Sequence, residues 1–322
     1  MLNKLKSKYE QYLAANKFKG NPPMLYESMN YIMNIGGKRV RPILTLLGAK
    51  VSGGKLEAAL PVAHALEVFH NFTLAHDDIM DDAPTRRGKP SLHVKENTAT
   101  AILAGDNMMI TAFDIILNAD LPNKTEILET LTNTAREVCE GQQMDMDFEK
   151  INHVTIEQYI EMIRLKTAVL LGCCLQCGSI SANAPQSTYK LLYSFGVNIG
   201  IAFQIMDDYL DLYGNSELTG KRTGGDILAA KKTALFNLAW SNANQLQREK
   251  LELWFDKTKT DEDTRLANTS RLFDELNIQQ RCKTLMEEHF SSAKELLVNS
   301  TLNKSDYQDL LDLVEFLRSR EE

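Results

Sequence analysis

Cysteine is scarce and odd in number, five in 322 residues. A disulfide framework needs pairs, so none organises this chain. Cys174-x-x-Cys177, with Cys173 beside it, lacks the second ligand pair and the spaced His that a zinc site requires. A redox C-x-x-C would sit near a βαβ pattern, and none is present. The cysteines are therefore expected to be small, buried core residues. Strand-like alternation of period two is missing as well. No linker, repeat or low-complexity stretch divides the chain, which reads as a single domain over 1–322. Uninterrupted apolar runs of about 18 residues are missing, because Asp106, Asp114 or Lys166 breaks each candidate. Met1 to Asn16 carries Lys4, Lys6, Lys8 and Glu10 with no apolar centre, unlike a signal peptide. A soluble, cytoplasmic protein without stable membrane insertion is expected. Basic residues are the minority, 36 against 43 acidic, for a net charge of −7. That balance argues against a nucleic-acid partner but leaves room for a local basic pocket.

What the chain does have is helical periodicity and apolar content, 43% of residues, enough for a large core. Leu56, Leu60, Ala63, Leu66 and Val68–Phe69 form one helical face. The same spacing predicts helices over 98–117, 124–148, 155–180 and 187–212. After a break it predicts 233–244, 245–255, 263–276, 278–298 and 305–318. Loops are marked by Gly53-Gly54, Pro84 to Pro90, Leu121-Pro122-Asn123 and Gly214 to Asp226. The prediction is an all-α fold of ten or more helices.

Two acidic clusters interrupt these apolar helices: Asp77-Asp78-Ile79-Met80-Asp81-Asp82 and Asp207-Asp208-Tyr209-Leu210-Asp211. Residues i and i+4 share a helix face, so Asp77 repels Asp81 and Asp207 repels Asp211. At roughly 6 Å and an effective dielectric near 20 the repulsion is about 3 kcal/mol per pair. A cation must neutralise it. Hard oxygen ligands without nearby His or Cys point to magnesium, which favours one or two carboxylates plus substrate phosphates.

Basic residues accompany these acids. Gly36-Gly37-Lys38-Arg39-Val40-Arg41-Pro42 reads as a helix end, a glycine turn and a new helix, which exposes N–H groups beside Lys38 and Arg41. Alone, such a turn is more often just solvated. Arg86-Arg87-Gly88-Lys89-Pro90 follows the first cluster; it is either a surface ion-pair network or a bidentate phosphate clamp. Gly220 to Asp226 with Lys221, followed by Lys231-Lys232-Thr233, is Gly-rich and basic. It is neither a P-loop nor a dinucleotide fingerprint, since spacing and a preceding strand both fail.

Taken in order, the Gly36–Pro42 motif, the two D-D-x-x-D clusters, Arg86-Arg87-Gly88, Lys166-Thr167 and Phe203-Gln204 resemble those of the trans-isoprenyl diphosphate synthases, the polyprenyl synthetases. The resemblance covers residues 25 to 235 by motif and is closest to the short-chain farnesyl and geranylgeranyl types. It implies the isoprenoid synthase fold, a single large helical bundle around a central cavity, in a homodimer. It implies that Asp77, Asp81 and Asp207 hold most of the magnesium, three ions per active site with substrate bound, helped by Asp78, Asp208 and Asp211. Arg86, Lys166, Gln204, Lys221 and Lys231 would contact the allylic diphosphate. Lys38, Arg41, His70 and Arg87 would bind isopentenyl diphosphate. The Lys166 carbonyl, Thr167 and Gln204 would face a carbocation with oxygen dipoles. Phe72, five residues before Asp77 and beside the small Thr73, would block a growing tail and limit products to C15 or C20. Two departures from the family pattern are Ala230, where Gly is frequent, and Arg222, where Pro is common.

Rival classes fit less well. A class I terpene cyclase carries N-D-x-x-S-x-x-x-E as its second motif and needs no second diphosphate site. A non-catalytic partner subunit of a prenyl synthase typically loses aspartates, whereas both clusters here are complete. Glu67-x-x-His70 resembles a di-iron ligand pair, but such bundles need it twice.

Overall fold

Apolar spacing of three and four is realised as α-helix in the computed structural model, which describes residues 1–121, 123–151, 153–214 and 223–318. Strand is confined, among the described residues, to one two-residue hairpin. The fold is all-α. The backbone groups into two units, Met1–Thr132 with Cys173–Leu192, and Asn133–Gly172 with Tyr193 onward.

In the first unit lie α1 (Leu2–Ala15), α2 (Pro23–Met33), α3 (Val40–Val51), α4 (Leu56–Met80), the hairpin β1–β2 (Thr85–Arg86 with Lys89–Pro90), α5 (Leu92–Lys95) and α6 (Thr98–Asn118). Helix α1 was not expected from the sequence. Its Leu5, Tyr9 and Leu13 recur at i and i+4 and are buried, but charges between them dilute the signal. Helix α4 is buried on nearly every face, from Ala59 and Val62 to Phe69 and Ala75, so it forms the core of this unit. It packs most extensively against α6 and α3. Where α3 meets the end of α9 (Val169–Ser181), a Cβ on Gly178 would lie 1.9 Å from the Thr45 carbonyl oxygen. Only glycine permits that backbone approach.

Cys173, Cys174 and Cys177 lie buried and unbridged on this helix, as expected, and Cys282 is buried elsewhere, but Cys139 is exposed, against the expectation. Burial pushes the Cys174 and Cys177 thiols up, which suppresses thiolate chemistry.

The second unit contains α8 (Ile156–Ile163), a π-helical turn (Arg164–Ala168), the start of α9 and the end of α10 (Gln186–Tyr213). It continues with α11 (Gly225–Leu228), α12 (Ala234–Asn242), α13 (Gln245–Phe255), α14 (Glu262–Glu275), α15 (Ile278–Val298) and α16 (Lys304–Arg318). Phe195, Phe236, Phe273 and Phe290 are its largest fully buried side chains. Arg265, fully buried, donates to the carbonyls of Trp254 at 2.6 Å, Leu228 at 2.7 Å and Thr260 at 2.9 Å. A guanidinium suits this place because helix ends carry unpaired carbonyls and partial negative charge. Helix α7 (Lys124–Glu149) contributes residues to both units.

One expectation is corrected. Thr98–Asn118 and Ile156–Ser181 are each long and apolar enough to cross a bilayer, with mean hydropathies of 1.4 and 1.3. Isolated charges such as Asp106, Asp114 and Lys166 lower that average too little to disqualify them. The second of these segments is mostly buried, as a core helix is.

Near the start of α4, His64 accepts or shares a proton with the Tyr9 hydroxyl at 3.2 Å, lies against the Phe18 face and meets the Tyr12 ring edge-on. Burial first, and Arg39 second, pull its pKa down from 6.5 to about 4. An unfolded chain takes up this proton near 6.5, the folded chain only near 4. Stability from a neutral His64 is therefore complete above pH 6.5 and is lost as pH falls through 4. Denaturant unfolding should show a loss of about 2 kcal/mol from this residue between pH 7 and 5. The variant His64→Gln should flatten the profile by that amount; an unaltered profile would refute the assignment.

Candidate active site

The first acidic cluster occupies the last turn of α4, which ends at Met80 with Asp81 as its cap. The second lies in the final two turns of α10. Neither helix has a basic residue in its last turn. Carboxylates at helix C-termini face the negative end of the dipole, so both placements are unfavourable without a cation.

Within the first unit the four aspartates divide. Asp78 is 4% exposed, and its Oδ1 accepts from Arg86 Nε at 2.9 Å and Nη2 at 2.5 Å. Arg86, expected on a diphosphate, is thus partnered by a carboxylate here. Asp77 is partly exposed, and Asp81 and Asp82 are exposed. Thr73 lies one turn before Asp77 on the same face, its hydroxyl donating to the His70 carbonyl at 2.8 Å. Phe72 lies about 140° round the helix from Asp77. It meets Phe69 edge-on at 5.3 Å and His76 at 5.0 Å, on the side where His76 contacts Ile102 of α6.

Arg86 opens a hairpin whose turn residues, Arg87 and Gly88, have φ of 54° and 75°. Two positive φ values give a turn matched to the twist of paired strands. The hairpin aims Arg87 at the glycine turn, where its Nη1 donates to the Gly36 carbonyl in a short contact. A Cβ on Gly37 would lie 2.4 Å from that guanidinium. Gly36, Gly37 and Arg39 have φ of 104°, 137° and 56°. For Arg39, which has a Cβ, this left-handed geometry costs roughly 1–2 kcal/mol. The cost is met by a buried ion pair, Arg39 Nη1 to Glu67 Oε1 at 2.9 Å, and by Nη2 donating to the Met33 carbonyl at 2.7 Å.

Lys38 beside it is exposed and Arg41 half-buried. Burial lowers the Arg41 pKa, Glu67 opposes that shift and Arg87 adds to it. The Arg41 Nε is buried with no hydrogen-bond partner among the described residues. His70, buried, is driven well below its ordinary value by desolvation and then by Arg41, Arg87, Arg86 and Arg39. It is neutral at physiological pH. Four arginines face two engaged carboxylates, so this region retains positive charge for an anion.

In the second unit Asp208 is 5% exposed and fully engaged. The Tyr159 hydroxyl donates to it in a short contact, the Ala234 N–H at 2.9 Å and Gln204 Nε2 at 3.4 Å. Burial nevertheless raises its pKa from 3.8 to about 7. Asp211 Oδ2 accepts the Asp226 N–H at 2.8 Å, and its carbonyl accepts the Gly224 N–H at 2.7 Å. Asp207 is exposed.

Lys166 and Thr167 lie in the π-turn, a geometry found disproportionately at functional sites. Lys166 Nζ pairs with Asp145 at 2.5 Å, and the Thr167 hydroxyl donates to Gln204 Oε1 at 3.4 Å. Lys231 is exposed; Lys232 donates to the carbonyls of Phe148 and Glu149 at 3.2 and 3.3 Å. Ala230 has φ of 53°, left-handed, where glycine would relieve the strain. Lys221 and Arg222 lie outside the described residues.

Among the described residues no three His, Cys, Asp or Glu side chains gather into a metal-holding group. The donor chemistry nonetheless fits magnesium. Asp77, Asp81 and Asp207 are solvent-accessible hard oxygens at the negative ends of helices, and Asp78, Asp208 and Asp211 are more deeply held. Sequence reasoning missed Arg39, Glu67, Asp145, Tyr159 and Lys232. Arg39, Lys232 and Glu67 lay in motifs that the sequence singled out without giving these residues a role, whereas Asp145 and Tyr159 left no signal.

An all-α scaffold with two aspartate-ended helices and an arginine-rich turn is the arrangement that the motifs of a prenyl synthase predict. The profile of the polyprenyl synthetases matches residues 22–270. The chain belongs to that family. It is 35% identical over 302 residues, 93% of this chain and 91% of the relative, to a short chain isoprenyl diphosphate synthase of Methanothermobacter thermautotrophicus. It is 38% identical over 255 residues, 79% and 78% of the two chains, to a geranylgeranyl pyrophosphate synthase of Geoglobus acetivorans. A crystal structure of a geranylgeranyl pyrophosphate synthase superposes with a TM-score of 0.94 at 37% identity, covering 100% and 99% of the chains. The isoprenoid synthase fold expected from the motifs is the one observed.

Burial of Asp208 makes a structural prediction. Tyr159→Phe removes a donor from a buried carboxylate and should cost about 1–3 kcal/mol in urea unfolding. Unchanged stability would mean that this contact contributes nothing.

Proposed function

We propose that this prenyltransferase condenses isopentenyl diphosphate head-to-tail with a C5, C10 or C15 allylic diphosphate, dependent on magnesium. The product is a short all-trans prenyl diphosphate, C15 or C20. The observation that carries this reading is the pair of aspartate-ended helices in one chain with a separate cationic turn. One diphosphate leaves during the reaction and the other stays on its substrate, so two anion sites are needed.

Asp77, Asp81 and Asp207 are the residues to hold magnesium, with three ions when substrate is bound. Magnesium supplies electrostatic stabilisation of the departing diphosphate. Lys166, Lys221 and Lys231, with Arg86, bind the allylic diphosphate and share its developing charge. Arg86 exchanges its Asp78 contact for phosphate oxygens, and Lys166 does the same from Asp145. The allylic C–O bond ionises, and Thr167, Gln204 and the Lys166 carbonyl direct oxygen dipoles at the carbocation. Lys38, Arg41, His70 and Arg87 hold isopentenyl diphosphate so that its double bond attacks the cationic carbon. A proton then leaves to the released diphosphate, and the product is five carbons longer.

The chain acts as one catalytic domain, 1–322, in the cytoplasm. On α6, Leu103, Ile110 and Leu117 are 60%, 62% and 55% exposed and recur every seven residues, an apolar stripe suited to a second copy. We assign it to a homodimer. A monomer in sedimentation equilibrium would overturn that assignment.

Relatives named geranylgeranyl synthases favour C20, while others are named geranylfarnesyl synthases. Purified protein with magnesium, isopentenyl diphosphate and each allylic primer should yield C15 or C20 product by mass spectrometry. Asp77→Ala and Asp207→Ala should each lower kcat/KM by 100-fold or more, roughly 3 kcal/mol. No elongation from any primer would favour the cyclase or the inert-subunit reading. In the same assay Phe72→Ala should lengthen the product. If only Thr73→Phe alters length, the floor lies on the Asp77 face instead.

A further inference from the structure

We propose that Glu67 and Arg39 form a positioning pair that shapes the diphosphate-binding turn at 36–41. This rests on the reading above, in which that turn, His70 and Arg87 hold isopentenyl diphosphate. Among the basic residues of the turn, Arg39 is the most deeply buried. Its side chain is 5% exposed against 4% for Glu67, and it is spent on Glu67 and the Met33 carbonyl. It is therefore not the group that meets an anion. Its backbone, however, sets where Lys38 and Arg41 go, because a left-handed residue between them reverses the chain direction entering α3.

Glu67 does more than pin Arg39. It is also the carboxylate that offsets the mutual repulsion of Arg41 and Arg87, which raise no ion pair of their own among the described residues. It sits on α4 one turn before His70, so one helix carries both the anchor of the turn and a ligand of the same anion. Removing Glu67 strands a buried guanidinium, which must then turn outward and take the backbone at residue 39 with it.

Charge and position predict opposite outcomes. Deleting a carboxylate makes the site more positive, so Coulomb attraction alone would tighten diphosphate binding. Loss of positioning would weaken it. Steady-state kinetics of wild type, Glu67→Gln and the double variant Arg39→Met with Glu67→Met separate the two. The double variant changes no net charge, and a buried ion pair replaced by apolar residues of similar volume is often neutral in stability. KM for isopentenyl diphosphate should rise about ten-fold in both variants, with KM for the allylic substrate within about two-fold of wild type. A double variant that melts like wild type and keeps its KM for isopentenyl diphosphate would overturn the proposal. So would equal rises in both KM values, which report general damage.

If wild-type protein fails to elongate, the functional reading falls. Magnesium-free calorimetric titration with inorganic pyrophosphate then decides the pair separately. Binding about ten-fold weaker in the double variant supports it, and equal binding, or no binding to wild type, overturns it.

Discussion

Carboxylates stacked at the C-terminal ends of helices repel each other and the helix dipole together. In both clusters the protein solves part of this problem internally. The second aspartate of each D-D pair turns inward and is clamped, Asp78 by Arg86 and Asp208 by Tyr159 and Ala234. The first, Asp77 or Asp207, remains accessible. Two adjacent acids thus differ in burial, one holding the helix end in place and the other reaching solvent. The clamps differ chemically, since Asp78 meets a charge and Asp208 meets neutral donors. Burial raises the Asp208 pKa to about 7, and the donors Tyr159, Ala234 N–H and Gln204 oppose that rise.

Cationic groups follow a similar economy. Arg86 pairs with Asp78 and Lys166 with Asp145, so neither waits as an uncompensated charge. Each pair is at least a quarter exposed on its basic side, so solvent screens it and it opens at modest cost. Arg39 with Glu67 is different, because both partners are buried and exchange would strand a charge. His70, kept neutral by burial and then by four arginines, adds a polar group without adding repulsion.

Helix positions were largely legible because apolar periodicity is a local property. The expected helices over 98–117, 124–148, 187–212 and 278–298 match observed ones to within a residue or two at each end. The π-turn was not legible, since one extra residue in a turn leaves the apolar composition unchanged. Helix α1 was hidden by its charges. In the site, the aspartates and the glycine turn announce themselves through unusual residue spacing. Tyr159 and Asp145 do not, because each meets its partner, Asp208 or Lys166, from 49 or 21 residues away. Phe72 illustrates the limit of counting along a helix. Five residues from Asp77 measures depth, but it also places the ring on another face, against His76.

The π-turn at 164–168 interrupts a helical path that runs on both sides of it, through α8 and α9. One surplus residue advances every following side chain by about 100° relative to an unbroken helix. Residues before and after it therefore obey separate phase relationships, although they share one axis. Substitutions at Lys166 or Thr167 change chemistry at one point. Deletion of one residue there would instead remove the surplus and leave a regular α-turn, so the flanking segments keep their faces and this stretch tolerates the loss of a residue better than an unbroken helix does.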